Sequence, residues 1–166
     1  ASGQLTEADI AALRARGERE GWTFKVAENP ATQRSIAELC GFRFDPNLVW
    51  AAPVARAQGL MALPGQFDWR DQTLPPIRNQ GGCGSCWAFA TIGTLECAIK
   101  LQSGLTENLS EQWLVSCNQN NWGCSGGSYA FNYLLRTGGL TDPFGDTGAV
   151  YEVDFPYVAS DAACAG

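Results

Sequence analysis

The side chains best suited to covalent chemistry lie between Asn79 and Trp87, in the run Asn-Gln-Gly-Gly-Cys-Gly-Ser-Cys-Trp. Cys86 offers a sulfur nucleophile, provided that the thiolate is favoured and that donors face the oxyanion its attack creates. Both conditions are legible. Phe89, Ile92, Leu95 and Ile99 recur at three- and four-residue steps, which predicts a helix starting at Ser85 or Cys86 and stopped by Gly104. Cys86 then falls in the first turn, where unsatisfied N–H groups and the positive dipole end stabilise an anion. Such placement brings a free thiol from about 8.5 to roughly 3.5–7.5, especially beside a cationic His. Upstream across a glycine turn (Gly81, Gly82, Gly84), the Gln80 side-chain amide converges with the Cys86 backbone N–H on one oxyanion position.

The rest of the chain has to position these groups. Thr6 and Asp9 read as a capping box opening a first helix, with Leu5 and Ile10 at staple positions and Gly21 closing it. Residues 22–26, Trp-Thr-Phe-Lys-Val, alternate like a short strand. Asn29-Pro30 reads as the cap and first position of a second helix carrying Ile36 and Leu39, with Gly41 past its end. Residues 42–66 lose helical periodicity and hold Pro46, Pro53 and Pro64 with Gly59 and Gly65, which predicts an extended connector. Ser110 caps a shorter helix with Trp113 and Leu114, and Ser128 opens a further one through Leu135. Beyond residue 140, Gly, Pro and Asp predict loop. No repeat or low-complexity tract interrupts the chain.

Composition limits the function classes. The 166 residues have 45% hydrophobic and 17% charged residues, a globular balance. No apolar run approaches the roughly 20 residues of a membrane-spanning helix. A net charge of −6 and a pI near 4.5 argue against nucleic-acid and membrane-surface partners. The charge is uneven: residues 1–66 hold seven basic and seven acidic residues, residues 67–166 four and ten. With the change at Phe67-Asp68-Trp69-Arg70, this divides the chain into units 1–66 and 67–166. Seven Cys and no His dominate the inventory. Seven well-spread cysteines suit an oxidising compartment, and an odd number leaves a thiol over. The chain opens Ala1-Ser2-Gly3-Gln4 without a basic-then-apolar leader, so any secretory signal is expected to lie outside it.

The run Cys83-Gly84-Ser85-Cys86-Trp87 resembles the active-site signature of the papain-like cysteine proteases. Phe67-Asp68-Trp69-Arg70-Asp71 resembles the start of the mature enzyme. Residues 109–117, Leu-Ser-Glu-Gln-Trp-Leu-Val-Ser-Cys, resemble a second family block. Gly123-Cys124-Ser125-Gly126-Gly127 resembles the strip that binds the substrate backbone, and Phe155-Pro156-Tyr157 followed by Cys164 also fits. The resemblance implies an α+β papain-like fold, of which 67–166 is the mainly helical left half, with the β-barrel right half absent from this chain. It implies Cys86 as nucleophile and Gln80 as oxyanion-hole amide. Substrate contacts are implied at Gly84, Ser85, Trp87, Gly126, Gly127, Ser128 and Tyr129, the last two near the pocket for the substrate's second residue. Implied disulfides are Cys83–Cys124 and Cys117–Cys164. Cys86 is then free, with Cys40 and Cys97 unassigned.

Residues 1–66 resemble a short cathepsin B-like propeptide, through Trp22, the Asn29 region and Ile36-Ala37-Glu38-Leu39-Cys40-Gly41. That implies a zymogen in which residues near 40–50 cross the cleft in the unproductive direction. One departure stands out: the family's His and Asn follow the Cys by roughly 130–150 residues, whereas this chain runs 80 residues past Cys86 without a His. The general base is therefore expected on a C-terminal half, separate or missing. Nothing in 128–166 supplies the paired His residues of an occluding loop, so peptide and protein substrates are expected to be cut internally. A lysosomal, vacuolar or extracellular site and no metal or organic cofactor are implied. Three rivals stay open. Cys83-x-x-Cys86 is half of a zinc pattern, with Cys117 and Cys124 too far apart for the other half. The same pair reads as a redox dithiol. A non-catalytic peptide-binding homologue is the third. Cys97 is expected to pack, with pairing to Cys40 as its alternative.

Overall fold

The computed structural model describes residues 4–44, 65–66, 68–72, 74–135 and 148–164. The first helix, α1 (Glu7–Glu20), has the expected capping box: Thr6 Oγ1 accepts from the Asp9 N–H and the Asp9 carboxylate accepts from the Thr6 N–H. Gly21 ends it in the left-handed conformation. The strand expected at 22–26 does not form. The Trp22 N–H instead donates to Gly17 O, and the Trp22 and Phe24 rings stack at 4.9 Å. With no partner strand beside it among the described residues, the alternation reflects packing of the Trp22 ring on Gly17 of α1. The second helix is also shorter than its pattern. Asn29 makes a local turn, its Oδ1 accepting from the Ala31 N–H, and α2 spans only Ile36–Leu39 behind a Ser35/Glu38 capping box. The connector over 45–64 and the expected start at Phe67 lie outside the described residues.

The core belongs to the later segment. α3 (Cys86–Ser103) begins and ends where the periodicity places it, with Ser85 before it and Gly104 as its left-handed cap. α4 (Glu111–Cys117) follows Ser110, whose hydroxyl accepts from the Trp113 N–H. The two pack through Trp87, Ala88 and Ile92 against Trp113, Leu114 and Val115. Tyr133 closes this core from a short 3₁₀ helix, Phe131–Leu134, which replaces the longer helix expected from Ser128. Just before it, Gly126 and Gly127 pack against Gly41 and Trp87. Residues 148–164 carry no regular element, as expected. The disulfide Cys117–Cys164 ties this segment to α4, and Cys83–Cys124 ties the loop before α3 to the loop after α4, each adding about 2–4 kcal/mol. Among the described residues there are isolated β-bridges but no strand.

One polar cluster is built into this core. Arg78 reaches Glu96 at 2.7 Å and Glu111 at 3.2 Å, and Glu96 also accepts the Leu109 N–H. Both carboxylates are almost fully buried, and one guanidinium serves two of them. Burial pushes the Glu111 carboxyl up to about 7; Arg78 opposes this while Glu152 and Glu96 reinforce it. The fold thus holds a proton that the unfolded chain, titrating near 4.5, releases. The resulting stability is full below pH 4.5 and is lost as pH rises through about 7. Thermal midpoints of the protein are therefore expected to fall across that window, and Glu111→Gln to flatten the fall. Equal slopes in both proteins would contradict this.

Candidate active site

Cys86 is the first residue of α3, unpaired and partly exposed. Its neighbour Cys83 is fully buried in the bond to Cys124, so the redox dithiol of Cys83 and Cys86 is contradicted. Cys40 and Cys97 are both free, which also removes their pairing. The loop between Gln80 and Cys86 is pinned at its middle by the disulfide and by the Gly84 N–H donating to Cys124 O at 3.0 Å.

The Gln80 amide has two hydrogens to give. One goes to Cys83 O within its own loop, at 3.0 Å, and the other to Glu38 O at 2.9 Å. Three residues on, the Gly41 N–H points at Cys86 Sγ at 3.0 Å. Gly41 O accepts from the Gly127 N–H at 2.7 Å, and Gly127 O accepts from the Arg43 N–H at 2.6 Å, making a parallel bridge at Phe42. Arg43 also donates to Ser125 O and Oγ, and the Phe42 ring meets the Tyr129 ring edge-on at 4.9 Å. A single segment, 38–43, therefore runs from the amide over the sulfur to the glycine strip. It presents an N–H to the sulfur rather than a carbonyl carbon.

This approach needs bare backbone on both sides. A Cβ on Gly41 would stand 1.5 Å from Gly84 O, and one on Gly84 would stand 2.5 Å from Cys124 O and 2.8 Å from Ala37 O. Gly84, Gly126, Gly127 and Tyr129 gather around the segment. With the segment in place, Ser85 and Trp87 are 0% and 2% exposed. Trp87 Nε1 donates to Gly123 O, and its ring supports Gly127 from below. Ser128 is likewise buried, its Oγ without a hydrogen-bond partner.

Sequence reasoning missed two supports. Asp161 Oδ1 accepts the Cys124 N–H at 2.6 Å. The Tyr157 hydroxyl lies 2.6 Å from Ser85 Oγ and donates to Gln80 O at 2.7 Å. Burial pushes that phenol above its ordinary range, so it stays a donor. Neither residue is near the motif in sequence, and no spacing rule points to them.

The family model for papain family cysteine proteases matches residues 63–165. The chain belongs to the papain family of cysteine proteases. Mouse pro-cathepsin H is 38% identical over 151 residues, covering 86% of this chain and 42% of that protein. Mouse procathepsin L is 41% identical over 110 residues, covering 63% of this chain and 30% of its own length. Among solved structures, the digestive procathepsin L2 proteinase from Tenebrio molitor larval midgut superposes with a TM-score of 0.77 at 28% identity, over 96% of this chain and 53% of that one. The chain thus spans less than half the length of these two mouse relatives. Its fold is papain-like, and α3 and α4 with the loops around them are consistent with the family's helical half. Within that family likeness, Cys86 stands as a free, partly exposed thiol at the start of α3.

Proposed function

We propose that this chain is the precursor part of a cysteine endopeptidase, with 1–66 acting as propeptide and 67–166 as the helical half of the catalytic unit. Cys86 attacks the scissile carbonyl. The Gln80 amide and the Cys86 N–H receive the negative charge of the tetrahedral intermediate, which collapses to a thioester as the amine leaves. Water then hydrolyses the thioester. The proton for the leaving amine comes from a His, oriented by an Asn, on a C-terminal half outside this sequence. Support for that partner comes from the length of the relatives, of which this chain spans 42% and 30%. The two disulfides suit a secretory, lysosomal or vacuolar setting.

The observation carrying the autoinhibited reading is the double occupancy by one segment: Gly41 N on the sulfur and Glu38 O on the oxyanion amide. Backbone pairing with Gly127 gives that segment strand-like affinity while its direction keeps a carbonyl away from Cys86. A peptide of residues 35–44 added to the processed enzyme is therefore expected to inhibit competitively. The same peptide with Gly41→Val should be at least about tenfold weaker, which corresponds to 1.4 kcal/mol. No inhibition by the first peptide at millimolar concentration, or equal inhibition by both, would overturn the assignment.

A further inference from the structure

Tyr157 stands 77 residues from Gln80 in sequence, yet its hydroxyl bridges the two ends of the loop that carries the site. The direction of the bridge follows from valence. A carbonyl only accepts, so the single phenol proton goes to Gln80 O; the Ser85 hydroxyl must then donate to the Tyr157 oxygen. The chain runs Ser85 O–H to Tyr157 O–H to Gln80 O=C. Ser85 is the N-cap of α3 and is wholly buried, so one end of this chain is fixed to the helix that bears Cys86. The ring itself is held by edge-on contact with Phe89 at 4.9 Å and by the Tyr157 N–H on Glu152 Oε1. Between Gln80 and Ser85 lie Gly81, Gly82 and Gly84, which give the loop no stiffness of their own.

We infer that Tyr157 is a positioning residue for the oxyanion donor: through Gln80 O and Ser85 Oγ it fixes the distance from the Gln80 amide to Cys86. An oxyanion donor works only if its aim is set before the charge develops, and a displacement of about 1 Å costs on the order of 100-fold in rate. The inference rests on the oxyanion role of Gln80 proposed above.

Tyr157→Phe removes one oxygen and leaves the Phe89 contact in place. In the processed enzyme it is expected to lower kcat roughly tenfold with KM within about twofold, while alkylation of Cys86 by iodoacetamide keeps its rate. The deciding measurement is the cycle with Gln80→Ala: the double variant should be no slower than Gln80→Ala alone, because the phenol acts through that amide. An unchanged kcat in Tyr157→Phe, or full additivity in the cycle, overturns the inference while leaving the Gln80 role intact. An unchanged kcat in Gln80→Ala overturns the Gln80 role itself and the inference with it.

Discussion

Replacing Cys86 by serine in the natural protein that carries this chain is expected to lower kcat/KM for peptide amides by on the order of 10⁴-fold or more. Serine keeps the place at the start of α3 and can still accept the Gly41 N–H. Its hydroxyl, however, is not ionised there, and the sulfur's intrinsic nucleophilicity is lost. The fold should be indifferent, because neither disulfide involves Cys86 and its side chain is no part of the buried core. An unchanged thermal midpoint with lost turnover separates chemistry from folding. Turnover retained within tenfold would remove Cys86 from the mechanism.

The second large effect concerns inhibition. Gly41→Ala places a carbon 1.5 Å from Gly84 O, a backbone atom that no rotamer change can move. Segment 38–43 must lift, and with it go the contacts to Cys86 Sγ, Gln80 and Gly127. Overpacking of this kind costs about 1–3 kcal/mol or more, so the unprocessed precursor should open roughly 10- to 100-fold more often. Alkylation of Cys86 in the unprocessed precursor, followed by peptide mass, reads this directly and should accelerate by that factor. The processed enzyme made from the same variant should be normal. Equal alkylation rates for the natural precursor and its Gly41→Ala variant would mean that the segment does not guard the sulfur.

Much of the site was legible because its residues are close in sequence and carry strong local signals. The apolar period of α3 located Cys86 at a helix start, and one segment, 38–43, touches both that sulfur and the Gln80 amide. The caps of α1 and α4 fell at Thr6 and Ser110 because short polar side chains satisfy helix N–H groups irrespective of tertiary context. Where packing decides, local pattern failed. Trp22 and Phe24 alternate but stack on each other and on α1, and the helix expected from Ser128 shrinks to one 3₁₀ turn behind the glycine strip. Ser85 and Trp87 belong to the motif in sequence yet are buried, Ser85 against the Tyr157 hydroxyl and Trp87 in the core under Gly127. Tyr157 and Asp161 reach the site only after the chain has folded back, so their roles depend on long-range contacts.

Active-site labelling of the processed protein decides whether the Cys86 thiol is the nucleophile. An epoxysuccinyl peptide reagent, followed by digestion and mass mapping, is predicted to add once per molecule to Cys86, with activity lost in proportion. Recovery of Cys86 in a disulfide, or loss of activity with the label on Cys97 and Cys86 untouched, would contradict it.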